Sequence, residues 1–118
     1  ALHRTRADYA DVLGRAVHCV MDRPLGSRHP RYPDMLYPVN YGCVPGVMAG
    51  DGAEQDVYVL GPTAPLETFD GVVIAVIHRF DDCEDKWVVA APGARYTAEE
   101  IRAAVAFQEK YYRSEILL

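Results

Sequence analysis

Two acidic segments carry the residues best suited to chemistry. Asp51-Gly52-Ala53-Glu54-Gln55-Asp56 leads into one apolar run, and Asp81-Asp82-Cys83-Glu84-Asp85-Lys86 separates two others. Carboxylates brought together repel one another, a cation relieves that repulsion, and Mg²⁺ prefers such oxygen ligands. Each segment also reads as a solvated turn. The first is no EF-hand loop, because it lacks the alternating ligands and the distal glutamate. Tyrosine is the second signal, with Tyr32, Tyr37, Tyr41, Tyr58, Tyr96, Tyr111 and Tyr112 in so short a chain. Each hydroxyl can donate to a phosphate oxygen or simply finish a core edge. Cations are the third: Arg23, Arg28 and Arg31 in a proline-rich stretch, with Lys86, Lys110 and Arg113 elsewhere. Arginine forks suit phosphate, and a solvated surface explains each one equally well.

Other chemistries find no support. His3, His18 and His29 have no zinc-ligand spacing, and His78 at a strand end reads as a ligand, a base or a satisfied histidine. No P-loop, dinucleotide-binding glycine fingerprint or Gly-x-Ser-x-Gly elbow occurs, and Cys43 has no evident histidine partner. Cys19, Cys43 and Cys83 are three scattered cysteines without C-x-x-C spacing, which points to a reduced, cytoplasmic compartment. The chain opens on no basic-then-apolar leader, which agrees with that expectation. The apolar stretch 72–77 falls far short of the roughly 20 residues that span a bilayer, so no membrane partner is expected. Twelve Lys and Arg stand against 17 Asp and Glu, a net charge of −5 that argues against nucleic acid. An acidic protein still binds an anion where metal ions stand between the two.

The 118 residues suffice for one domain spanning 1–118, with a helical lead-in within 1–15 that ends at Gly14. Alternation predicts a strand over 15–22, and four prolines make 24–38 an ordered, irregular loop. Further strands are expected over 41–44, 56–60, 72–78 and 86–90, parted by turn residues. Thr97 followed by Glu99 and Glu100 marks a helix start, and Ile101, Ala104, Val105, Gln108, Tyr111 and Tyr112 form its apolar stripe. The expected fold is mainly β with α: a small five-stranded OB-like β-barrel with a C-terminal helix packed on it. A sandwich with a covering helix has the same periodicity.

Four segments taken together resemble the soluble family I inorganic pyrophosphatases. They are Val20-Met21-Asp22-Arg23-Pro24-Leu25-Gly26-Ser27-Arg28, Tyr37-Pro38-Val39-Asn40-Tyr41-Gly42, Asp51-Gly52-Ala53-Glu54-Gln55-Asp56-Val57 and Glu84-Asp85-Lys86. Phe107-Gln108-Glu109-Lys110-Tyr111 is a weaker match, and the likeness extends over about 17–112. The resemblance implies hydrolysis of inorganic pyrophosphate, or a related small phosphoanhydride, with Mg²⁺ or alternatively Mn²⁺, in a homo-oligomer. It implies Asp51, Asp56 and Asp85 as metal ligands, with Asp81 or Asp82 as a further one and Asp22 near the metal cluster. Arg31 and Tyr111 fall at phosphate-binding positions, Tyr41 at the active-site tyrosine, and Lys86 close to a family lysine.

The departures bear on activity. The family motif carries a middle aspartate that helps activate water; Ala53 stands there, with Glu54 next door as the substitute base. The hairpin before Tyr37 is shortened, which removes a phosphate-binding arginine unless Arg28 or Arg31 replaces it. Slow hydrolysis is therefore expected. The alternatives are a metal-dependent phosphate-ligand binding protein and a hydrolase of another phosphoanhydride; an OB-like nucleic-acid module is disfavoured by charge.

Overall fold

Along the first strand the odd and even positions face opposite ways. Val17, Cys19 and Met21 are buried, while His18, Val20 and Asp22 are exposed. The computed structural model describes residues 3–118, and this strand, β1 (Ala16–Arg23), is followed by β2 (Asn40–Met48), β3 (Glu54–Val59), β4 (Thr68–Arg79) and β5 (Asp85–Ala90). Helix α1 (Ala98–Glu109) and a short β6 (Ser114–Leu117) complete the chain. The sheet runs β1-β2-β3-β5-β4, and β4 returns to pair with β1, which closes a five-stranded barrel. All pairs are antiparallel except β3 with β5. The expected barrel with its C-terminal helix is thus the observed fold, and the sandwich is not.

β4 is long enough to serve two partners. Ala16–Val20 of β1 pair with its first part, and β6 pairs with Val76–Arg79 near its end. The alternation also separates two cores. Inside the barrel lie Val17, Cys19, Met21, Val57, Val73, Trp87 and Val89, closed at one end by Tyr9. Outside it, Tyr41, Tyr58, Ile77 and Val88 meet Ile101 and Val105 of α1. Gly42 lets β1 and β2 approach: a Cβ there would lie 2.0 Å from the Val20 carbonyl oxygen.

Local signals explain the helix start and not its end. The Thr97 hydroxyl accepts from the Glu100 N–H at 3.1 Å, and the Glu100 carboxylate accepts from the Thr97 N–H at 2.9 Å. The predicted stripe continues through Tyr111 and Tyr112, but α1 stops at Glu109. The N–H groups of Tyr111 and Tyr112 bond back to the carbonyls of Gln108 and Glu109, tightening the turn into β6. Pairing of β6 with β4 overrides the helical period there. The lead-in is shorter than expected as well: a 3₁₀ turn, Arg6–Tyr9, followed by turns up to Gly14.

Candidate active site

Strand register gathers one set of side chains on the outer face of the barrel. Tyr41 pairs with Tyr58 and Cys43 with Asp56, so the four point the same way. Tyr58 also pairs with Val88 on β5, which places Lys86, two residues earlier, on this face. Asp22, next to the inward Met21, joins from β1.

Lys86 is the hub. Its ammonium lies 2.6 Å from Asp56 Oδ2 and 3.1 Å from Glu84 Oε2, beside the buried Tyr41. Burial works to lower the Lys86 pKa, but Tyr41 and Asp56 outweigh it and hold the amine well above its ordinary range. Desolvation pushes the Asp22 carboxyl up, with Asp56 adding to the shift and Arg23 opposing it. Burial likewise raises the Tyr41 hydroxyl. The face thus holds fixed charges of both signs.

A second cluster adjoins it where β4 ends. Arg79 donates to both oxygens of Glu109, at 2.8 and 2.6 Å, and to Asp82 at 3.1 Å. Its guanidinium also stacks 3.7 Å from the Tyr112 ring centroid. From Glu109 a chain of hydrogen bonds crosses the helix interface. Tyr58 donates to Glu109, Gln108 to Tyr58, Tyr37 to Gln108, and Arg23 to Tyr37. Both buried charges in this chain are paired, as burial requires. Sequence reasoning missed Arg79, Glu84, Gln108 and Glu109 as parts of this network. Arg79 in particular lies two positions beyond the outward Ile77, a signal that was available from period-two alternation.

The structure brings together Tyr41, Asp56, Lys86 and Asp22, with Asp82 joined through Arg79. It does not gather Asp51, Asp56 and Asp85 at one point. Asp85 shares the inner face with Trp87, two residues on; its carboxylate bonds His78 Nδ1 at 2.6 Å and accepts from the Tyr9 hydroxyl at 2.9 Å. Lys86 directly after it takes the outer face, and Glu84 supplies the carboxylate there. Asp51 sits in the exposed β2–β3 turn, where it accepts from the Ala53 N–H at 3.0 Å. Glu54 is outward like Asp56 and accepts from the Gly46 N–H at 2.7 Å.

The cationic expectations are scattered. Arg28 donates to the Pro33 carbonyl at 2.6 Å, and Arg31 is exposed further along the same loop. Tyr111 is 66 % exposed beyond the helix end and lines a cavity with His29 and Tyr32, apart from the buried Tyr41. Arg31, Tyr41 and Tyr111 therefore do not form one wall.

The donors on the outer face are carboxylate oxygens, which suit a hard divalent cation in kind. Among the described residues, no three His, Cys, Asp or Glu side chains lie close enough to hold a metal as they stand. The Lys86 ammonium is the cation between Asp56 and Glu84.

A closed five-stranded barrel whose outer face carries a lysine between two carboxylates, flanked by buried tyrosines, defines a small β-barrel protein with a charged cluster on its outer face. The inorganic pyrophosphatase family model matches residues 20–114, and the chain belongs to that family. It is similar to an inorganic pyrophosphatase of Aeropyrum pernix, with 40% identity over 67 residues, 54% of this chain and 38% of the relative. The chain thus matches well under half of that relative's length. Among solved structures it is similar to an inorganic pyrophosphatase from Neisseria gonorrhoeae, with TM-score 0.64 and 23% identity over 88% of this chain and 81% of that one. The one from Ehrlichia chaffeensis gives TM-score 0.66 and 16% identity, covering 89% and 86%. These two likenesses establish the fold. Among the described residues no helix is long and apolar enough to cross a membrane.

Proposed function

We propose that the chain hydrolyses inorganic pyrophosphate to two phosphates on the outer face around Asp56, Lys86 and Glu84. The observation that carries this reading is the Lys86 ammonium held between two carboxylates beside Tyr41, in a chain of the inorganic pyrophosphatase family. Asp22, Asp56 and Glu84 are the carboxylates of this face and would have to draw closer, with Lys86 moving from between them, to hold Mg²⁺ or Mn²⁺, which when bound neutralises charge on phosphate oxygens. Lys86 binds a phosphate oxygen and stabilises charge on the departing phosphate. Tyr41 orients the substrate by its hydroxyl. Glu54, outward and anchored by Gly46, is the base that takes the proton of the attacking water. The water oxygen bonds to one phosphorus while the bridging P–O bond breaks, and its electron pair leaves with the second phosphate.

Asp51, one turn away, and the loop arginines Arg28 and Arg31 lie outside this minimal set. The reading extends to a homo-oligomer in the cytoplasm, which sedimentation and fractionation would check. Phosphate release from pyrophosphate, measured with Mg²⁺ and with the metal chelated, tests the activity. Release in Mg²⁺ that chelation abolishes is expected; no release under either condition would leave binding without turnover.

A further inference from the structure

A break in strand register turns one more side chain toward the charged face. Met21 of β1 pairs with Gly42 and Arg23 with Tyr41, so Asp22 and Arg23 together stand opposite a single residue of β2. Strict alternation from the inward Met21 would send Arg23 inside the barrel. The extra residue makes a β-bulge, which re-aims the strand and carries both Asp22 and Arg23 to the outer face beside Tyr41.

Two tyrosines hold the re-aimed guanidinium. Its Cζ lies 5.6 Å from the ring centroids of both Tyr37 and Tyr41, within cation–π range, and its Nη1 donates to the Tyr37 hydroxyl at 2.6 Å. Tyr37 in turn donates to Gln108, so α1 fixes the acceptor in place. Burial works against the charge of Arg23, but Tyr37, Tyr41 and Asp22 outweigh it. A guanidinium carries five N–H donors, and among the described residues only the Tyr37 hydroxyl engages this one. The side chain is half-buried, neither sealed in the core nor loose in solvent. Tyr41 stands between two cations, with Arg23 over its ring and the Lys86 ammonium on its other side.

We infer that Arg23 grips a phosphate group of the substrate by its unengaged N–H donors, across Tyr41 from Lys86, and fills the place for which Arg28 and Arg31 are the candidates in sequence. This rests on the phosphate-binding reading of the outer face. An arginine fork matches phosphate oxygens in pairs, and a guanidinium already held by two rings loses little freedom on binding.

Imidodiphosphate, a pyrophosphate with nitrogen in place of the bridging oxygen, tests this without turnover. Its affinity is read by calorimetry on the full chain in Mg²⁺, with each variant verified as folded by circular dichroism. Arg23→Gln should weaken it at least about tenfold, because charge-assisted hydrogen bonds are lost. Arg23→Lys should recover only part, since an ammonium has no fork. Tyr37→Phe removes the hydroxyl that aims the guanidinium and should weaken binding as well, while Arg28→Gln and Arg31→Gln should match wild type. Mn²⁺ affinity measured alone should not fall in Arg23→Gln. A merely structural arginine would lower stability and leave the imidodiphosphate affinity unmoved. Lys86→Gln separates the two readings. Weaker binding there with none in Arg23→Gln or Tyr37→Phe would overturn the assignment of Arg23 alone; unchanged binding in all three would remove the outer face as the phosphate site too.

Discussion

Arg79 and Glu109 meet through two hydrogen bonds, Nε to Oε1 at 2.8 Å and Nη2 to Oε2 at 2.6 Å, and both side chains are almost fully buried. The pair ties the end of β4 to the last residue of α1, so it orders the boundary between barrel and helix. Glu109→Gln leaves the guanidinium with only the half-buried Asp82 and Glu84 as charge partners, and breaking a buried pair costs about 3–5 kcal/mol. Urea denaturation should show a loss of that order. Arg79→Lys should not restore stability, since an ammonium lacks the two-pronged geometry.

Glu84 and Asp85 should separate cleanly. Glu84→Gln is expected to weaken Mn²⁺ binding in calorimetry by about tenfold or more, because it removes charge from the outer face. Asp85→Asn should leave that affinity near wild type and instead loosen Tyr9, raising amide exchange in the 3₁₀ turn. A reversed pattern would mean that Asp85 turns outward when metal binds.

Much of this was legible in the sequence. Alternation in Val17, Cys19 and Met21 located β1, and Thr97 followed by Glu99 and Glu100 located the helix start. Asn40 was visible only as part of a motif; its buried amide accepts from the N–H groups of Leu25 and Leu66 and fastens the loop to the barrel. The face of Asp85 was less legible, because a motif match gives order along the chain and a strand then assigns sides by parity. One residue of offset between Asp85 and Lys86 reverses the side. Tyr111 was misplaced because β6, four residues long, shows too little alternation to announce itself.

Acid should probe the contact between the N-terminal segment and β6. The Arg4 backbone N–H, helped by His3, holds the Glu115 carboxyl below its ordinary 4.5. A depressed carboxylate pKa adds stability that is present above the unfolded value and is lost as pH falls through the folded one. Urea midpoints measured downward from pH 5 should therefore drop more steeply in wild type than in Glu115→Gln. Parallel curves would show that the contact contributes nothing in solution.

Glu54 faces outward like Asp56, whereas Ala53 belongs to the turn. Losing a general base costs about 10²–10⁴-fold, so Glu54→Gln should lower kcat for pyrophosphate by at least about 10². Ala53→Asp should raise it. Unchanged kinetics in both would assign water activation to other groups.

The central claim is that the outer face around Asp56 and Lys86 is the hydrolytic centre. Phosphate release from pyrophosphate in Mg²⁺ by wild type and Asp56→Asn, each verified as folded by circular dichroism, tests it most directly. The account predicts turnover by the wild type and a fall of at least about tenfold in the folded variant. A folded Asp56→Asn protein that matches the wild-type rate would contradict it.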